Sequence, residues 1–141
     1  MLPNSQSFTT TSNAGLLGVL KNRCSISLVY LPTNPDVPLP PIVEFDAIWD
    51  TGATGSVITQ KVVDACGLAP ITMAQVHGVN SSGMSEVYLV NIYLPNHVVF
   101  IGVHVIKGEL PESGADILIG MDIITRGDFA VTIQDALNDG A

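Results

Sequence analysis

The sequence predicts an all-β domain, barrel-like or sandwich, with one or two short helices. Three observations carry this expectation. Short β-branched, apolar runs recur along the chain, among them residues 43–49, 98–106 and 129–133. Glycines and prolines punctuate the intervals between them. Helical periodicity is confined to residues 60–66 and a turn or two after Gly120. At 141 residues the chain is one domain on size grounds.

The elements follow in order. Residues 1–13 are rich in Ser, Thr and Asn and read as a flexible arm ahead of a domain over 14–134, with a polar tail at 135–141. Residues 14–20 are short, apolar and glycine-bearing, a possible strand or strand edge. Residues 25–31 alternate and then turn apolar, a strand pattern. Residues 32–41 hold five prolines and must form an exposed loop. The strand at 43–49 runs straight into Asp50. After the Asp50 loop, residues 56–58 resume a short strand. Thr59 is placed to cap a helix over 60–66, with Val62, Ala65 and Cys66 on one side. Gly67 suits a left-handed stop and Pro70 prevents continuation. Residues 71–94 read as a long hairpin with a polar, glycine-bearing tip at 77–83. Residues 98–106 form a core strand, 117–120 a second buried strand ending in glycine, and 129–133 a last strand.

Composition excludes several function classes. The chain is 47% hydrophobic and 13% charged, with mean hydropathy +0.42. That apolar load predicts surface covered by a partner chain. The longest apolar run, residues 97–106, is half of the roughly twenty residues a membrane helix needs. Residues 1–12 lack the basic start and apolar core of a signal peptide, so a cytoplasmic location is expected. Net charge is −8, and the five bases are scattered, which argues against nucleic acid. Cys24 and Cys66 read as buried thiols. His77, His97 and His104 fit no metal-ligand spacing, so no metal or cofactor is expected.

One stretch carries chemistry. Ile48 and Trp49 end in an acid, Asp50, followed by Thr51, Gly52 and Ala53. This is a buried strand delivering a carboxylate into a tight loop. Peptide hydrolysis without metal or covalent intermediate needs an activated water and a proton donor. Two carboxylates sharing one proton supply both, because like charges about 3 Å apart cannot both ionise. The chain holds a single Asp-Thr/Ser-Gly, so for such a pair the second carboxylate would come from another copy.

The order of Asp50-Thr51-Gly52-Ala53, a glycine-tipped hairpin, and Ile117-Leu118-Ile119-Gly120 resembles the retropepsin-like aspartic proteases, the single-domain relatives of retroviral proteases. The resemblance implies a closed-barrel retropepsin fold and a homodimeric aspartic endopeptidase acting on peptide or protein. It implies Asp50 as the catalytic residue, with Thr51, Gly52 and Ala53 supporting the dyad. It makes the tip at Gly78 and Val79 a flap, and has Gly52, Thr54, Val57, Val76, Gly78, Val79 and Leu118 meet substrate. It makes residues 129–133 the dimer strand. Retroviral members carry an acid where Thr54 stands and a base where Met121 stands. The Gly120-Met121-Asp122 sequence looks closer to cellular and bacterial members. Asp122 itself reads as a structural hydrogen-bonder beside the Asp50 loop. The competing expectation is the same fold used as a dimerisation or peptide-binding module with little or no turnover.

Overall fold

The computed structural model describes residues 6–11, 19–30, 36, 38–77, 82–111 and 113–131. Its elements are β1 (Leu20–Leu28), β2 (Val43–Trp49), β3 (Val57–Ile58), α1 (Gln60–Cys66), β4 (Thr72–His77), β5 (Ser82–Tyr93), β6 (Val99–Lys107), β7 (Ile117–Ile119) and α2 (Met121–Ile124). Six strands close into a barrel in the order β1-β2-β7-β3-β6-β5, and β5 returns to β1 through pairs such as Ile26 with Ile92. β4 pairs with β5 alone and stands outside that ring. The all-β, barrel-like expectation with two short helices therefore holds. No helix among the described residues is long and apolar enough to cross a membrane.

Closing so few strands requires curvature, and a bulge supplies it. Val90 pairs with Val103 and Ile92 with Phe100, so Asn91 alone faces Ile101 and Gly102. Gly102 takes φ 71°, a left-handed conformation that favours glycine. The buried Asn91 side chain accepts the Gly102 N–H at 3.1 Å and donates to the Tyr30 carbonyl at 3.4 Å. A polar residue inside an apolar strand thus sets the bend.

β1 begins five residues earlier than its apolar pattern suggests, at Leu20 rather than Ser25, and ends at Leu28 rather than residue 31. Its first half alternates faithfully, but one inward position is Asn22 instead of an apolar residue. Asn22 Oδ1 accepts the Trp49 indole N–H at 2.8 Å, which explains the polar choice. On the outward face Arg23 reaches Glu44 at 2.7 Å and Asp46 at 2.9 Å across to β2.

Helix α1 spans the predicted residues, and Gly67 stops it at φ 62°, as expected. Two details differ. Val63 is buried and Ala65 exposed, because the helix lies on β1 and β2 through Val62, Val63 and Cys66. Thr59 occupies the cap position, yet its hydroxyl donates to the Asp116 carbonyl at 2.9 Å. It ties the helix start to the strand entering β7 instead of capping the helix.

The core gathers Ile26, Ile58, Val62, Ile92, Ile117 and Ile119, all fully buried. Each contributes about 1.5–3 kcal/mol of burial free energy. Cys24 and Cys66 are free and buried, and burial pushes their thiols up to about 12 and about 11.

The terminal segments depart from expectation. Phe129, Ala130 and Val131 form no strand, and residues 132–133 of the expected run lie outside the described residues, as does the tail. A strand exists through its partner's hydrogen bonds. Phe129 instead stacks on Trp49, with ring centroids 5.9 Å apart. From the other terminus Phe8 meets Trp49 at 6.0 Å. The expected flap residues Gly78 and Val79 and most of residues 14–20 and 32–37 also lie outside the described residues.

Candidate active site

β2 and β7 run parallel, pairing Ala47 with Ile117, Ile48 with Leu118 and Trp49 with Ile119. The Asp50 N–H donates to the Ile119 carbonyl at 2.9 Å and extends that ladder by one residue. Asp50 is thus the first residue past a strand whose apolar positions are locked into the core. The chain then turns. The Ala53 N–H donates to the Asp50 carbonyl at 3.3 Å, and the Gly52 N–H donates to Asp50 Oδ1 at 2.8 Å. The loop that follows the acid therefore holds one of its carboxylate oxygens. A Cβ on Gly52 would sit 3.1 Å from that oxygen, so glycine leaves the half-buried carboxylate room.

A second segment braces the loop from outside. The Met121 N–H donates to the Ala53 carbonyl at 2.8 Å, and the Asp122 N–H to the Thr54 carbonyl at 3.1 Å. Gly120 makes this approach possible. A Cβ there would lie 2.7 Å from the Gly55 oxygen and 2.9 Å from the Ala53 oxygen. Asp122 returns the contact, accepting the Ser56 N–H at 3.1 Å and the Ser56 hydroxyl at 2.8 Å. The buried Ser56 Oγ in turn accepts the Gly120 N–H at 3.1 Å. Asp122 is the hydrogen-bonder expected from sequence. Ser56 carried no such expectation, and its only signal is a lone hydroxyl opening the apolar β3 run.

The sequence-predicted residues fall into three groups. Asp50, Thr51, Gly52, Ala53 and Thr54 share the loop, with Thr51 and Thr54 exposed. Val57 and Leu118 pair directly across β3 and β7 and are both half-buried, on the side opposite the fully buried Ile117 and Ile119. Val76 lies on the hairpin, half-buried on the face shared with Ala74, Ser85 and the buried Val87. Met73 and Met84 are exposed on the opposite face.

The described residues contain no cluster of His, Cys, Asp or Glu able to hold a metal. A groove of about 640 Å³, lined by Arg23, Glu44, Tyr93, Leu94, His97 and Val99 among others, includes no residue of the Asp50 loop. One carboxylate with one restrained oxygen can accept a proton or orient a water. It cannot by itself supply both an acid and a base.

The sequence profile of the family described as gag-polyprotein aspartyl protease matches residues 43–126. That span runs from the start of β2 to just past α2 and contains the Asp50 loop and its brace. Among solved structures, the EIAV protease complexed with the inhibitor HBY-793 is similar at 17% identity and TM-score 0.52, covering 88% of this chain and 100% of that one. The retroviral protease-like domain of Ddi1 from Leishmania major is similar at 18% identity and TM-score 0.50, covering 84% of each chain. No curated protein matches. The fold is retropepsin-like.

Proposed function

The chain belongs to the gag-polyprotein aspartyl protease family, and from that premise we propose that it is a homodimeric aspartic endopeptidase in which each protomer contributes Asp50. The observation that carries this reading is the Asp50 loop. A strand in the core delivers the carboxylate, the Gly52 amide holds one of its oxygens at 2.8 Å, and Gly120 lets a second segment lock the loop from behind. Such restraint suits a group that must meet its own copy on a two-fold axis.

In the proposed mechanism the two Asp50 carboxyls share one proton, the known behaviour of aspartic protease dyads. The ionised member accepts a proton from a water whose oxygen attacks the scissile carbonyl carbon. The protonated member donates a hydrogen bond to the carbonyl oxygen. The pair titrates as a unit, so activity falls as pH rises past neutrality. Gly52 leaves space for substrate backbone, and Thr51 braces the opposite loop. Thr54, Val57 and Leu118, with Val76, Gly78 and Val79 of the hairpin, contact the peptide. The hairpin of β4 and β5 is the flap that closes over it.

The exposed apolar residues at and just after the Phe129 stack on Trp49 support a partner chain. Phe129 is 39% and Val131 62% exposed. A second copy is the expected cover, and the terminal segments around Trp49 are the expected contact.

The test is cleavage of a diverse peptide library by the wild-type chain and by Asp50→Asn, with mass in solution measured alongside. The expected result is a dimer that cleaves, sensitive to a statine-type inhibitor, and an inactive Asn variant. Undiminished cleavage by Asp50→Asn sinks the mechanism. A dimer that binds peptides and leaves them intact establishes the binding module instead.

A further inference from the structure

β5 has two parts. Ser82 to Glu86 pair only with β4, whereas Val87 pairs with both Thr72 of β4 and Ile106 of β6. Val87 is therefore where the hairpin leaves the barrel, and Glu86 is the first residue beyond it. Side chains from three elements meet at this point. The Glu86 carboxylate accepts from the Tyr88 hydroxyl, two positions along the same strand. It also pairs with Lys107 Nζ at 3.2 Å. Lys107 ends β6, one step past the Val87 to Ile106 pair, and it donates a further bond to Gln60 Oε1 at 3.0 Å. Gln60 opens α1 and donates to Asp64 Oδ1 at 2.9 Å.

We infer that Glu86 and Lys107 form a hinge clamp, with Tyr88 as its anchor, that positions the hairpin, the flap of the proposed endopeptidase. This inference rests on the endopeptidase reading for its catalytic consequence, though the clamp itself is a property of the fold. Three features separate it from an ordinary surface ion pair, which contributes little. Glu86 and Lys107 side chains are only 34% and 31% exposed. Tyr88 is buried in the core and cannot follow a moving hairpin. Glu86 also sits where β5 leaves the barrel, and among the described residues β4 has no neighbour but β5 to hold the hairpin.

The Tyr88 hydrogen bond, and after it Lys107, hold the Glu86 carboxyl below its usual range. The groups around it are Tyr88 on its own strand, Lys107 on β6, Gln60 and Asp64 on α1, and the uncharged Met73 across on β4. A carboxyl whose folded pKa is depressed contributes above the ordinary carboxylate range and is lost only as pH falls through the depressed value. The clamp thus stays charged to lower pH than an unpartnered carboxyl would.

Hydrogen–deuterium exchange on the full chain tests this, comparing wild type with Glu86→Gln, Lys107→Met and Lys107→Arg. Removing either charge should speed exchange of hairpin amides in 72–77 and 82–86 by about tenfold. Amides of β1 and β7 should keep wild-type rates, and Lys107→Arg should retain hairpin protection. Hairpin rates that stay unchanged in both charge-removing variants overturn the clamp. So do rates that rise equally in hairpin and barrel, which would mark a merely structural pair. With a cleaved peptide in hand, the expected kinetic signature is a several-fold rise in KM at constant kcat. A fall in kcat at constant KM overturns the positioning role. A wild-type chain that cleaves nothing defeats the endopeptidase reading, and exchange still decides the clamp.

Discussion

The Asp50 loop and the β4–β5 hairpin are built to opposite specifications. The loop, only a few residues long, is bonded to β7 and to the start of α2, and its brace closes through Ser56, which bonds Asp122 and the buried Gly120 N–H. The hairpin of β4 and the first half of β5 pairs, among the described residues, with nothing but itself beyond Val87, and exposes Met73 and Met84. In the first region a Cβ added at Gly120 meets backbone; in the second Met73 and Met84 meet solvent. The proposed endopeptidase, which must hold a carboxylate in place and also admit a peptide, would need both. The difference lies in how many distant segments bond to each region.

Breaking the rigid region should have the largest effects. Asp50→Asn should lower the peptide cleavage rate by about 10³-fold, which is about 4 kcal/mol of barrier. Its urea midpoint should stay near wild type, because the amide oxygen can still accept the Gly52 N–H. A rate within tenfold of wild type would remove Asp50 from the chemistry. Gly120→Ala should follow, since its Cβ would lie 2.7 Å from the Gly55 backbone oxygen with no flexible group to yield. The expected loss is about 1–3 kcal/mol in denaturant unfolding, with cleavage impaired as the Asp50 loop shifts. Unchanged stability would mean that the loop is softer than its bonding implies.

Ser56→Ala sharpens the same point. It deprives Asp122 of a donor and the buried Gly120 N–H of its acceptor. About 1–3 kcal/mol should be lost, and a double-mutant cycle with Asp122→Asn should show strong coupling. Additive losses would mean that the two residues act separately. Phe129→Ala tests the terminal contact, which is worth about 0.5–1.5 kcal/mol beyond buried area. Trp49 fluorescence should shift, and dimer dissociation should occur at higher protein concentration than in wild type. The smallest effect belongs to pH. Burial, and after it the Glu86 bond, push the Tyr88 phenol up to about 12. A phenol raised on folding favours the folded state below its ordinary value near 10, and that advantage is lost as pH rises through about 12. Ultraviolet titration should show a tyrosine step near 12, and Tyr88→Phe should abolish that step.

Much of the rigid region was legible because it is written in neighbouring residues. Asp50 to Ala53 and Ile117 to Gly120 are contiguous, and their residue types follow from a buried strand feeding a tight turn. Helix α1 and its glycine stop were readable for the same reason. The hinge left no such mark. Glu86, Lys107 and Gln60 are ordinary surface residues in one dimension, and only the barrel's register sets them side by side. Asn22 and Asn91 were worse than silent, since each interrupts an apolar pattern and hid the start of β1 and the bulge of β5.

By itself the sequence determined a β-rich domain carrying one strand-borne carboxylate, because alternation, β-branching and turn residues act over a few neighbours. The tertiary structure decided which distant segment locks that carboxylate, where the barrel bends, and where the hairpin pivots. Those depend on strand order and register, and a bond such as Ser56 to Asp122, between residues 66 apart in sequence, exists only once β3, β7 and α2 have come together.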